Sequence, residues 1–473
     1  MCQIIYITHF QYNLRKESTI IMKRNKKDLM LNEPNLYRAF MLLVWPVFLS
    51  NLLKSLHDLV DTYFIGQMPN STSAQAAISI AWPLINIFLA LSTGLAVAGV
   101  AIISQYIGMK NIEKARKNSA MLLSLAIIIG LIINTALFIF APIVMRLMGA
   151  KDDVLKLAII YLRIRSFEMT FLFIFTAFQA IRQANGDTTS PVIISSAAVF
   201  VNIFLTAYCV RVLNLGIAGA ALATMISQAI QAPFCIIILF RVKDKEMRLH
   251  LSDMKFKLDD MRKLYDIAIP SAASQALSSL GFLILQATIL DFGKNVAAAF
   301  SIGNKISNLL LIPTAALGSI LAAFIGQSIG AGNKERARNA YKVSRNIGLF
   351  ISITGCLIIY PFRKEMLSLL TNDSLTLSIS MEYIFWVLLT QPLMSMFQNF
   401  LGLFNGSGNT GLSFRMSTAR LWVIRLPLIE CFKHFTNLDR SGIWYAMVIS
   451  NILILIYGAF LAKRVDYEPK VAK

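Results

Sequence analysis

The sequence predicts an all-α polytopic membrane protein, 12 transmembrane helices in two six-helix lobes related by a parallel internal repeat. Three observations predict it: an apolar excess spread along the whole chain, a succession of long apolar runs, and motifs that recur at a constant spacing. Of the 473 residues, 56% are hydrophobic and 15% charged, against about 25% charged in a soluble domain. Such a chain cannot hide its apolar surface in one aqueous core, and a mean hydropathy of +0.62 makes lipid its main solvent. In lipid every backbone polar group needs an internal partner, which leaves helices or closed barrels. Runs such as Ala120 to Met145 and Val192 to Val210 are continuously apolar, where barrel strands would alternate over about ten residues.

The apolar runs place spans near 36–65, 76–107, 119–147, 155–184, 189–211, 216–240, 265–290, 296–328, 340–370, 377–405, 412–434 and 441–462. Pro46, Pro83, Pro270, Pro313 and Pro392 lie inside runs, where each removes a backbone donor and can kink its helix. The formal charge of +20 sits mainly between the runs. Lys110, Lys114, Arg116 and Lys117 follow span 2; Lys334, Arg336, Arg338 and Lys342 follow span 8; Arg241 to Lys263 holds eight Lys or Arg; the gap after span 1, Gln67 to Gln75, has no charge. By the positive-inside rule both termini are cytoplasmic, and the charge belongs to loops, not to a nucleic-acid surface.

The repeat follows the same division. Ser104-Gln105-Tyr106-Ile107-Gly108, then Asn111, Glu113, Ala115 and Arg116, returns 222 residues later as Gly326-Gln327-Ser328-Ile329-Gly330, then Asn333, Glu335, Ala337 and Arg338. Gly186-Asp187-Thr188 maps onto Gly408-Asn409-Thr410. Six spans per half give both halves one orientation, the architecture of a secondary transporter with substrate between its lobes. The expected organisation is a basic cytoplasmic segment 1–35, an N-lobe 36–240, a cytoplasmic linker 241–263, a C-lobe 264–463 and a cytoplasmic tail 464–473. Met22-Lys23-Arg24-Asn25-Lys26-Lys27 reads as a natural start, so residues 1–21 are expected to be dispensable.

Trp45-Pro46, Asp61-Thr62-Tyr63-Phe64-Ile65-Gly66, the two Gln-containing motifs, Asn185-Gly186-Asp187-Thr188, Leu215-Gly216-Ile217-Ala218-Gly219 and Arg425-Leu426-Pro427-Leu428 resemble the MATE (multidrug and toxic compound extrusion) family, in particular its DinF-like branch. The resemblance runs from about Leu36 to Lys463. It implies export of organic, cationic and amphipathic compounds in exchange for H+ or Na+, by a monomer in the cell membrane that needs no cofactor. It also implies an ion site in the N-lobe, where the family's span-1 Asp matches Asp61 and its span-5 Asn matches Asn202. Two positions depart from the pattern: Thr206 replaces a span-5 Asp, and Thr176 aligns with a span-4 Asn.

The residues themselves add candidates. Lys54, Asp58 and Asp61 share one face of span 1, and intramembrane charges mark cavities or partners. Lys54 with Asp58 suits a structural pair, leaving Asp61 to titrate. Glu168 suits either a pair with Arg165 or attraction of a cationic substrate. Gln179 and Met394 are further candidates for the substrate path, as are Phe171, Phe173 and Phe175. Lys305 and Arg420 suit either a pocket or the headgroups. Gly406-Ser407-Gly408-Asn409-Thr410-Gly411 is a GxGxxG, but a long apolar run precedes it, so a helix–helix turn is expected in place of a dinucleotide site. Five cysteines without CxxC and four histidines without HExxH give no metal site or nucleophile, so an enzyme is not expected. A lipid-linked oligosaccharide flippase of the same wider fold is the alternative; it would want a cationic cavity, against which Asp58 and Asp61 argue.

Overall fold

The structure is a computed structural model describing residues 26–66, 71–241, 247–254, 256–371 and 373–472. Within these, the side chains of residues 26–28, 57–63, 65–66, 71–72 and 472 lie outside the description. The expected start at Met22 therefore falls outside the described residues.

The N-lobe comprises α1 (Leu36–Gly66), α2 (Ser71–Gly108), α3 (Ile112–Leu147), α4 (Asp152–Ala184), α5 (Thr189–Ala207, continued by a π turn, Tyr208–Val212) and α6 (Gly216–Arg241). The C-lobe comprises α7 (Leu258–Leu290), α8 (Lys294–Gly330), α9 (Lys334–Ser368), α10 (Ser374–Gly406), α11 and α12 (Asp439–Ala462). Helix α11 has three segments, Thr410–Thr418, a π-helical stretch Ala419–Arg425, and Leu426–Phe435. Ten described helices are long and apolar enough to cross a membrane. The other two spans are α4, which carries Arg163, Arg165 and Glu168, and α11, which the π stretch divides.

The repeated motifs now have physical roles. Asn111 and Asn333 cap α3 and α9, accepting bonds from the main-chain N–H of Lys114 and Arg336; such caps contribute about 0.5–2 kcal/mol. Glu113 and Glu335 follow in the first turns, where a negative charge suits the helix dipole. Gly186 and Gly408 have φ of +79° and +74°, so the GxGxxG is the expected turn between α10 and α11.

The lobes meet at the end bearing the basic gaps. Phe40 of α1 stacks on Phe324 of α8, centroids 4.4 Å apart. In the equivalent pairing, α2 packs on α7 so tightly that a Cβ on Gly94 would lie 2.6 Å from that of Ala272. One buried apolar core runs through both lobes here, whereas Leu285, Phe300, Tyr383 and Trp444 centre a separate core in the C-lobe. The chain's connections tie down the same end. In the linker, Asp253 pairs with Arg116 at 2.9 Å. In the tail, the Lys470 N–H donates to Gln105 Oε1 at 3.0 Å, and Lys263 Nζ donates to the Val471 carbonyl at 3.0 Å. At the opposite end Asp373 caps α10, and its bonds from Thr376 hold its carboxyl below the usual range.

Candidate functional site

Two cavities gather residues singled out from the sequence. The first lies between the lobes. It has a volume of about 290 Å³ and is lined from α2, α4, α8 and α10. Its lining is built from equivalent residues: Thr93, Ala96, Val97, Val100, Thr176, Gln179, Ala180 and Gln183 in the N-lobe, and in the C-lobe Ala315, Gly318, Ser319, Ala322, Gln398, Leu401, Gly402 and Asn405. Each residue of the first set has its partner in the second at the 222-residue spacing. The cavity therefore lies on the pseudo-twofold axis. Its polar groups are amides and hydroxyls, without a charge among the lining residues. Thr176 is tied to Ser92 at 2.6 Å, and Gln183 Nε2 crosses to the C-lobe, donating to Ser319 O and Oγ at 2.7 Å.

On the basic side of this cavity the lobes close. Gln327 Nε2 donates to the Ala184 carbonyl across the interface at 2.7 Å. Its counterpart Gln105 instead receives the tail N–H of Lys470. Close backbone approach at Gly108 and Gly330 seals the rest.

The second cavity, about 630 Å³, lies within the N-lobe between α1, α2, α4, α5 and α6. It gathers Lys54, Glu168 and Asn202 of the predicted residues, together with Arg165, Tyr161, Phe175, Thr224 and Gln231. Arg165 and Glu168 pair at 2.5 Å, one turn apart on α4, and both line the cavity. Lys54 Nζ faces the Phe175 ring at 5.5 Å. Asn202 is buried and donates to Thr224 Oγ1 at 3.3 Å, while the Thr206 hydroxyl donates to Asn202 Oδ1 at 3.3 Å. Thr206 is thus beside Asn202, at the position where the family pattern has an acid. Asp58 and Asp61 fall on α1, but their side chains lie outside the described residues.

The structure separates some predicted residues. Thr176 and Gln179 line the axial cavity, while Asn202 lines the N-lobe cavity. Phe173 is fully buried in the core and lines neither cavity; Phe175, two residues on, lines the N-lobe one. Met394 lies in the C-lobe, its Sδ accepting from Arg420 Nη1 at 3.2 Å. Lys305 is exposed and Arg420 buried. The axial lining was largely missed by sequence reasoning; projecting Thr176 and Gln179 through the repeat adds only Gln398 and Leu401 to it.

A pair of repeated six-helix lobes, closed at one end over a cavity on their axis, defines a two-lobed membrane transporter. The MatE family model matches the chain twice, over residues 46–208 and 270–429; the chain belongs to this family, whose members are transporters and not enzymes. It is 26% identical to the probable multidrug resistance protein YoeA of Bacillus subtilis, over 91% of this chain and 94% of that protein. It is 27% identical to the FAD transporter of Shewanella oneidensis, over 86% and 90% respectively. Among solved structures, the outward-facing conformation of a multidrug resistance MATE family transporter superposes with a TM-score of 0.88 at 22% identity, covering 93% of this chain and 98% of that one.

Proposed function

We propose that the protein is an antiporter of the cell membrane that exports organic compounds, cationic amphipaths among them, in exchange for H+ or Na+. In this reading it works as a monomer, with both termini and the Arg241–Lys263 linker in the cytoplasm. The observation that carries the reading is the axial cavity, lined by equivalent residues of both lobes and closed on the basic side. A site shared symmetrically between two lobes becomes accessible from either side when the lobes rock about it. With the basic side cytoplasmic, the closed end faces the cytoplasm in this reading. The name of the Bacillus subtilis relative supports drug export as the activity.

Coupling needs a group that binds the ion in one state and releases it in the other. Asp61 is that group in this proposal. Asn202 and Thr206, bonded to each other in the N-lobe, supply neutral oxygens for the ion. Binding of H+ or Na+ cancels the carboxylate charge and favours release of a cationic substrate. Dye accumulation in everted vesicles, under an imposed pH gradient and then a sodium gradient, tests the reading. One of the two gradients should drive accumulation; if neither does in vesicles containing the folded protein, antiport is refuted.

A further inference from the structure

The 222-residue spacing gives part of the N-lobe cavity lining a counterpart in a C-lobe side-chain cluster, with different chemistry. Ala198, Leu172 and Phe175 line the N-lobe cavity; their counterparts are Arg420, Met394 and Phe397. These three meet in the structure: the Arg420 guanidinium lies 4.5 Å from the Phe397 ring centre, and Nη1 lies 3.2 Å from Met394 Sδ. The charged pair that α4 brings to the N-lobe cavity, Arg165 and Glu168, corresponds to Val387 and Thr390. The α4 ion pair is therefore absent from the C-lobe position, and a guanidinium stands on α11 instead.

That guanidinium is short of partners. Arg420 is 5% exposed, and its Nε is buried without a hydrogen bond. Among the described residues no carboxylate lies within ion-pair distance of it. Five residues on, Arg425 adds a second buried cation, bonded to the neutral Ser450 and Asn451 at 2.9 and 2.7 Å. Aromatic faces attract a cation but do not satisfy its N–H donors, and an intramembrane charge without a counter-ion is costly. A planar fork of donors fits a carboxylate or phosphate through two parallel bonds. A second ring, Phe282, lies 5.7 Å from the guanidinium and is itself 40% exposed. Met394, unbranched and adaptable, is a side chain that can give way. The π-helical stretch that carries both arginines is a distortion frequent at functional positions.

We propose that this C-lobe cluster binds the anionic group, a carboxylate or phosphate, of an organic substrate. Arg420 holds the charge, and Phe282, Phe397 and Met394 take the adjoining apolar part. The substrate range then includes organic anions, or compounds carrying both signs, beside the cations assigned above. The inference rests on the transporter reading, but binding tests it separately. Fluorescence anisotropy on the purified protein would compare carboxyfluorescein, an anion, with ethidium, a cation, for the wild type, Arg420→Gln and Arg420→Lys. The wild type should bind carboxyfluorescein. Arg420→Gln should weaken that binding by about tenfold or more while changing ethidium affinity by less than about twofold, with Arg420→Lys between. If Arg420→Gln does not fold, Arg420→Lys decides, since it keeps the charge but loses the fork: anion affinity should fall severalfold and ethidium affinity should hold. No anion binding by the wild type, equal anion binding in the variants, or an equal loss for both dyes overturns the proposal. Intact anion binding without gradient-driven efflux would refute antiport and leave the site standing.

Discussion

Gly108 packs against the main-chain carbonyl of Gln327, and its counterpart Gly330 packs against that of Gln105. The two contacts exchange under the 222-residue repeat. Neither leaves room for a Cβ, so the ends of α2 and α8 can cross only as glycines. The closed end is thus built from the motif that makes the repeat visible in the sequence.

Enlarging either glycine should have the same effect. Gly108→Leu and Gly330→Leu should each prevent this closed state and cut efflux by about tenfold or more, as expected when a population shift exceeds about 1.4 kcal/mol. Gly411→Leu is the control, because a Cβ there meets nothing within 4 Å. The comparison is efflux per folded transporter; wild-type rates in both seam variants would exclude the seam as a gate.

The caps should behave as equals too. Asn111→Ala and Asn333→Ala each remove a side-chain acceptor from a helix start, at a cost of about 1 kcal/mol. Thermal unfolding in detergent should show similar small losses for the two. A large loss in one alone would mean that its Asn does more than cap.

At the proposed ion site, Asp61→Asn keeps size and hydrogen bonding but cannot titrate. It should abolish gradient-driven efflux with expression unchanged, whereas Asp58→Asn should be milder if Asp58 neutralises Lys54. Thr206→Asp restores an acid beside Asn202 and should alter the pH or sodium dependence of efflux. An unchanged profile in a folded Thr206→Asp protein would place the ion elsewhere.

Much of the fold was legible because hydrophobic length and charge placement act locally: each of the twelve expected spans has its helix, with ends shifted by a few residues. The functions of the repeated motifs were not legible. Asn111 reads only as a match within the repeat until Lys114 is seen bonded to it, and Gly108 shows its purpose only against Gln327, in the other half of the chain. The site was partly legible. Asn202 and Glu168 do line one cavity, because intramembrane polar groups are costly and so stand out. The Gln183–Ser319 bond and the enclosure of Arg420 by Phe397 and Phe282 depend on how lobes and helices pack, which no local pattern encodes.

In the proposed mechanism the lobes separate at the basic end during each transport cycle. In a cysteine-free background, Gln183→Cys with Ser319→Cys places two thiols across the interface where Gln183 Nε2 and Ser319 Oγ now lie 2.7 Å apart. A short bifunctional thiol cross-linker in vesicles measures the claim directly. Efflux should stop when the pair is bridged and return when reductant cleaves the bridge, while the single-cysteine proteins stay active throughout. Undiminished efflux by the fully bridged protein would contradict the account.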